Sequence, residues 1–300
     1  MANTIGYGQG AVNNTNSWGQ GAKVGASESL LLDSYSGASV AYSLRKLSSS
    51  YSGSAIRVRR SSDNTEQDIG FTGNELDTTS LTSFVGANDA FVTRWYDQSG
   101  NANDATQATA ANQPRIVNAG VIETKGSENA IKFDGSNDYI TRSGLTDLNA
   151  GNNYSYFTIS SNNLTNNNNT IFATSLTSAS RIENFIDTRT TGGTYRNFFI
   201  QNTSSTSYVA DLSSANGSTN QRLLSGFVNG FNISAFDNGN TGGTDTYSGT
   251  YNNDRFDIGA NRHLSRYLNG YIQEIIIYPT DESSNRTGIE TNINDYYSIY

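Results

Sequence analysis

The sequence predicts an all-β protein: a jelly-roll β-sandwich with a few short helices, preceded by a short glycine-rich N-terminal segment. Three observations lead there. Two prolines and 29 glycines accompany an excess of Asn, Ser and Thr, the composition of many short strands joined by turns that use Gly and Asn at positive φ. Short apolar runs recur along the chain between polar turn residues, with few long helical periods. Eighteen Tyr, 13 Phe and two Trp supply the large buried areas that a chain only 35% hydrophobic needs, and a net charge of −8 over 300 residues is too small to hold it open.

Taken in order, the first segment carries a repeat. Asn3-Thr4-Ile5-Gly6-Tyr7-Gly8-Gln9-Gly10-Ala11 returns as Asn14-Thr15-Asn16-Ser17-Trp18-Gly19-Gln20-Gly21-Ala22. Two such units are too few to stack into a solenoid. They read either as an anchor peptide that docks Tyr7, Gln9, Trp18 and Gln20 on a partner or as a low-complexity tail. No Pro-rich or charged linker follows, so the expected division is an N-terminal segment, 1–27, and one sandwich domain, 28–300.

Val40, Leu44, Leu47 and Tyr51 recur at spacings of four, three and four, which predicts a helix over Ser39 to Tyr51, closed by Gly53. Residues 54–59 alternate as a strand, Asp63-Asn64 turns, and 68–71 is extended. A second helix is expected from Thr78 to Val85, capped by Asp77. Strands follow at 90–96, 131–133, 157–159, 170–172, 198–200, 223–228 and 270–278. Residues 162–169 and 238–249 read as exposed hairpin tips. The chain closes with a helix from Asn285 to about Tyr297 that puts Ile289 and Ile293 on one side, expected to cover a sheet edge or end.

Several chemistries are excluded. With no cysteine, disulfides, thiolate metal sites and thiol nucleophiles are absent, and the single histidine, His263, has no partner for a multi-histidine metal centre. The acidic balance removes the basis for tight nucleic-acid or anionic-membrane binding. No stretch reaches the roughly 20 apolar residues of a membrane helix, and the N-terminus lacks the pattern of a signal peptide. Synthesis in a cytoplasm is expected.

Two resemblances cover the body of the chain. The runs Ala41-Tyr42-Ser43-Leu44-Arg45, Arg57-Val58-Arg59-Arg60-Ser61-Ser62-Asp63 and Trp95-Tyr96-Asp97-Gln98-Ser99-Gly100-Asn101, continuing to Gln107, resemble the N-terminal half of the α-L-arabinofuranosidase B catalytic domain. The runs Phe133-Asp134-Gly135-Ser136-Asn137-Asp138-Tyr139 and Leu268-Asn269-Gly270-Tyr271-Ile272-Gln273-Glu274 resemble laminin-G-like, concanavalin A-like sandwiches. Both imply a jelly roll. The arabinofuranosidase resemblance implies a nucleophilic glutamate in an Asp-Leu-Glu-Asn-Gly context and a vicinal cysteine pair. The nearest string here, Asp211-Leu212-Ser213-Ser214-Ala215-Asn216-Gly217, has no glutamate. The N-terminal repeat is similar to pieces of tailed-bacteriophage virion proteins.

Candidate chemistry gathers in two polar turns. Asp97, Asn101, Asn103 and Asp104 follow an apolar strand and could hydrogen-bond sugar hydroxyls, or could serve as a turn whose side chains bond their own backbone. Asp134 and Asp138 pose the same choice between a turn and a calcium site, since calcium takes oxygen ligands. Trp95 reads as core, Glu274 as a structural carboxylate at the sheet rim, and His263 as a surface or hydrogen-bonded residue.

The expected function is a non-enzymatic virion structural protein, a capsid or tail decoration made without a signal peptide and displayed at the virion surface. Its N-terminal peptide would dock on other virion proteins, and its sandwich would bind host or environmental glycans in host adhesion. No cofactor is expected apart from calcium, and no nucleic acid or membrane partner; self-association is open. The alternatives are an arabinofuranosidase-type glycoside hydrolase and a purely architectural decoration protein.

Overall fold

The computed structural model describes residues 29–145, 153–162, 169–175, 183–187, 190–191, 194–201, 207–212, 219–248, 253–261 and 264–300. The first elements are α1 (Leu31–Ser34), β1 (Val40–Ser43), β2 (Ile56–Arg60), β3 (Glu66–Ile69), the small hairpin β4 (Phe71–Thr72) and β5 (Glu75–Leu76), α2 (Thr78–Val85) and β6 (Ala90–Trp95). Then come β7 (Ala105–Thr106), β8 (Arg115–Asn118), β9 (Val121–Ile122), the hairpin β10 (Thr124–Lys125) and β11 (Glu128–Asn129), β12 (Ile131–Asp134) and β13 (Ile140–Ser143). Longer strands follow: β14 (Tyr154–Asn162), β15 (Thr170–Ser175), β16 (Glu183–Asp187), β17 (Thr190–Thr191), β18 (Thr194–Gln201) and β19 (Ser207–Leu212). The last are β20 (Arg222–Asn229), β21 (Asn232–Asp237), β22 (Asn240–Thr246), β23 (Arg255–Ile258), β24 (Asn269–Tyr278) and α3 (Arg286–Tyr297).

β24 is the axis of the larger sheet. It pairs antiparallel on one side with β14, Phe157 opposite Ile276. On the other side it pairs with β1, Tyr42 opposite Ile275, and then with β12, Ile131 opposite Ile272. From β14 the sheet continues through β20, β21 and β22; from β12 it continues through β8, β6, β2 and β3. The second sheet runs β13, β23, β15, β16, β18, β19. β7 pairs with both β6 and β13 and so joins the two.

Tyr42, Trp95, Phe133, Tyr156, Phe172, Phe256 and Ile275 fill the space between the sheets. A second cluster lies on the other face of the larger sheet, where Phe157, Ile159, Phe227, Ile276 and Tyr278 meet Leu31 and Leu32 of α1 and Ile289, Ile293 and Tyr297 of α3. The molecule therefore has three layers, and the central strands are covered on both faces. That explains why β14 is buried at every position and shows no alternation. The C-terminal helix lies on a sheet face; the edge-covering role expected from sequence is replaced by this apolar contact.

Two local expectations are corrected. No helix forms over Ser39 to Tyr51: Val40–Ser43 is β1, hydrogen-bonded along β24, and all four residues are buried. The spacing of Val40, Leu44, Leu47 and Tyr51 imitates a helix because a strand covered on both faces carries no period of two. Residues 240–246, expected in an exposed tip, form β22 on β21. Gly243 has a packing reason: a Cβ there would lie 2.4 Å from the Asp211 carbonyl oxygen of β19.

Candidate functional site

The loop after β6 is a clamp. Asp97 is buried, and its carboxylate accepts hydrogen bonds from the backbone N–H groups of Ala41 (2.8 Å), Ser99 (2.9 Å) and Asn103 (3.0 Å) and from Ser99 Oγ (2.6 Å). Asn101 Nδ2 donates to the carbonyls of Ala38 and Ser39, and Asn103 Nδ2 to that of Ser39. Asn103 Oδ1 accepts from Arg142 Nε and Nη2. Asp104 Oδ1 accepts from Asp97 N–H. The structure thus brings the four residues together: Asp97, Asn101 and Asn103 bond the backbone of the β1 entry, and Asp104 bonds that of its own loop, so that together they fix the loop.

Glu274 sits on β24 with 0% exposure and forms a bidentate pair with Arg45: Nε to Oε2 is 2.8 Å and Nη2 to Oε1 is 3.0 Å. Ser43 Oγ and Tyr297 O–H also donate to Oε2. Burial disfavours the Arg45 charge, but Glu274 beside it raises the guanidinium pKa. A carboxylate so enclosed holds strand to helix and has no access to a substrate. Trp95 is likewise fully buried between the sheets.

The remaining pair, Asp134 and Asp138, borders open space. Asp134 ends β12, and its Oδ1 accepts from the N–H groups of Ser136 (2.8 Å) and Asn137 (3.3 Å), an Asx turn. Gly135 at φ +80 permits the reversal. Asp138 returns from the turn so that its Oδ2 accepts Asp134 N–H at 2.9 Å. Asn137 Nδ2 ties the turn to the Ala111 carbonyl at 2.8 Å.

Beside it lies a cleft of about 370 Å³, lined by Phe91, Ala110, Ala111, Gln113, Arg115, Lys132, Asp134 and Asp138. Burial first, and the Asp134 charge second, push the Asp138 carboxyl up to about 7. Such a group can hold or release a proton near neutrality, while Phe91 offers an apolar wall and Arg115 and Lys132 offer donors. Among the described residues no three His, Cys, Asp or Glu side chains gather as metal ligands, and Asp134 and Asp138 are two. His263 and the N-terminal residues Tyr7, Gln9, Trp18 and Gln20 lie outside the described residues.

Sequence reasoning singled out both aspartates but missed Phe91, Gln113, Arg115 and Lys132. Register brings three of them together: Phe91 stands opposite Arg115, and Arg115 opposite Lys132.

Residues 34–179 match the family described as alpha-L-arabinofuranosidase B, catalytic. No curated protein sequence matches this chain. Among solved structures, a GH54 α-L-arabinofuranosidase soaked with a cyclic sulfate inhibitor is similar at 16% identity and a TM-score of 0.62, over 88% of this chain and 63% of that one. An arabinofuranosidase complexed with arabinofuranosyl-α-1,2-xylobiose is similar at 17% identity and a TM-score of 0.59, with the same coverage. The chain shares their fold. It spans 63% of the length of those chains.

These matches correct the expected function. They lead toward arabinofuranosidase-type glycoside hydrolases and away from a virion structural protein, capsid or tail decoration and host adhesion. The virion reading rested on a nine-residue glycine-rich repeat, whereas the family match runs from residue 34 to residue 179.

Proposed function

We propose that this chain is an arabinofuranosidase-type glycoside hydrolase that removes furanosyl groups from a glycan. The observation that carries the reading is the match of residues 34–179 to the arabinofuranosidase B catalytic family. Hydrolysis of a glycosidic bond needs a carboxylic acid that is still protonated at the working pH, with a second carboxylate nearby. Among the described residues, Asp138 suits the first role. It lines the cleft, is pushed up to about 7, and has Asp134 at the rim of the same turn.

The test is release of nitrophenol from 4-nitrophenyl α-L-arabinofuranoside by the full chain. Turnover that falls about 100-fold or more in Asp138→Asn, the usual scale for loss of a general acid, supports both the reaction and the role. Turnover unchanged by Asp138→Asn would move the acid elsewhere in the chain; no turnover across a panel of furanosides would overturn the hydrolase reading. A second reading, glycan binding without cleavage, is favoured by one feature: the string nearest to the family's Asp-Leu-Glu-Asn-Gly, Asp211 to Gly217, has no glutamate. Its signature is saturable furanoside binding with no nitrophenol released.

A further inference from the structure

Across the uncovered part of the larger sheet, five side chains stand in one row. Arg59 of β2 is opposite Phe91 of β6, Phe91 opposite Arg115 of β8, Arg115 opposite Lys132 of β12, and Lys132 opposite Tyr271 of β24. Directly paired residues share a face. Their neighbours Val58, Val92, Ile116, Ile131 and Ile272 belong to the core between the sheets, so the row points outward, and all five of its members are half-buried. Four interstrand steps of about 4.8 Å make it roughly 19 Å long, the length of several sugar rings.

Individual cations on this face make no ion pair, in a chain of net charge −8. Lys132 Nζ lies 4.4 Å and Lys125 Nζ 5.8 Å from the centre of the Tyr271 ring, and neither ammonium has an ion-pair partner among the described residues. Burial, and then repulsion from Lys132, lower the Lys125 pKa. Glu128, opposite Lys125 on its hairpin, accepts from Ser127 Oγ.

Arg59 reaches only neutral acceptors, Gln113 Oε1 (2.6 Å), Asn64 Oδ1 (2.8 Å) and the Ala110 carbonyl (3.4 Å), while its guanidinium lies over Phe91 at 5.0 Å. Glu123 neutralises Arg115 at 2.6 Å. Asp134, at the end of β12, keeps one oxygen on its own turn. The face thus offers two ring surfaces and three cations, Arg59, Lys125 and Lys132, that touch no carboxylate among the described residues, while Glu66 opposite Arg59, Glu123 beside Arg115 and Tyr271, and Asp134 and Asp138 in the cleft border it.

The geometry points to a binding track for a uronate-bearing polysaccharide, running from Arg59 past the cleft to Tyr271 and Lys125. Ring faces suit the apolar faces of sugars, and the unpaired cations suit carboxylates spaced along a chain. The uronate would also lie between Lys125 and Lys132 and relieve their mutual repulsion. This track deepens the hydrolase reading by naming the class of glycan at the same cleft, and it rests on that reading only for what happens after binding.

The experiment is calorimetric titration of the full chain with tetragalacturonate and with a neutral arabinan oligosaccharide of equal length. Tetragalacturonate is expected to bind at least tenfold more tightly, with affinity falling as salt rises from 50 to 300 mM. Lys125→Gln combined with Lys132→Gln is expected to abolish that preference, with an unchanged thermal midpoint showing that the fold is intact. If the double variant does not fold, Arg59→Gln read the same way replaces it. Equal binding of the two oligosaccharides, a preference unaffected by the variants, or tighter binding of a sulfated oligosaccharide would overturn the proposal. Nitrophenyl furanoside turnover is measured separately: uronate binding without turnover sinks the hydrolase reading alone, and turnover without uronate preference sinks the track alone.

Discussion

Arg45 and Glu274, 229 residues apart in sequence, form a two-pronged ion pair at 2.8 and 3.0 Å with both side chains buried. Tyr297 O–H reaches the same carboxylate, so one group ties β24 and the segment after β1 to α3. Removing one partner leaves the other charge buried and uncompensated, which costs roughly 3–5 kcal/mol. Glu274→Leu and Arg45→Met are each expected to lower stability by that amount in urea unfolding. The double variant should cost less than the sum; strict additivity would show that the two residues do not act as a pair.

Asp138 makes stability depend on pH in an unusual direction. Its folded pKa, about 7, lies above the ordinary aspartate value, so the folded state holds a proton that the unfolded state has lost between roughly pH 4 and 7. Stability from this group is therefore full below pH 4 and declines as pH rises toward 7. Asp138→Asn keeps an oxygen for Asp134 N–H and carries no charge. It is expected to be more stable than the parent by roughly 1–3 kcal/mol at pH 8 and equal to it at pH 4. Parallel thermal melts at the two pH values decide this, and an unchanged difference between them would contradict it.

Asp77 caps α2 through Oδ1, which accepts Ser80 N–H at 2.9 Å, and Oδ2, which accepts Ser80 Oγ at 2.7 Å. Asp77→Ala should cost about 1 kcal/mol, and Asp77→Asn much less, because the amide oxygen still accepts the backbone N–H. Chemical denaturation of the three proteins gives the comparison.

Gly259 combines φ +81 with a position where a Cβ would lie 2.3 Å from the Phe133 ring. Gly259→Ala must strain the backbone and displace a core ring together, for roughly 2–4 kcal/mol. Gly37 has φ +89 but open space around it, so Gly37→Ala should show the backbone cost alone, about 1–2 kcal/mol. Equal losses at the two sites would show that Phe133 gives way freely.

The elements that could be read ahead of the structure are those whose signals are local. The N-cap at Asp77 sets the start of α2, and Ile289 and Ile293 mark the buried side of α3. The apolar runs at 90–96, 223–228 and 270–278 fall on β6, β20 and β24. The segment 39–51 failed because β1 is set in the sheet beside β24, more than 200 residues away, with the second sheet on one face and the α1 and α3 helices on the other, and cover on both faces erased the alternation. β22 failed for the opposite reason: a Thr- and Gly-rich strand with little apolar content forms because β21 presents a hydrogen-bonding edge and Gly243 leaves room for β19.

The same division runs through the candidate site. Asp134 and Asp138 could be found from a turn motif of seven residues, because an Asx turn is written in adjacent positions. That Asp138 is pushed up to about 7, while Asp97 and Glu274 are enclosed as structural groups, is a matter of which surfaces the tertiary fold buries.

By itself, the sequence determined the all-β class, the turn chemistry, the caps and the absence of thiol chemistry, since these follow from residue type and short-range spacing. Only the tertiary structure decided that Arg59, Phe91, Arg115, Lys132 and Tyr271 form one row. Strand register is a long-range property, set by how five strands drawn from more than 200 residues of chain align their hydrogen bonds and bury their opposite faces.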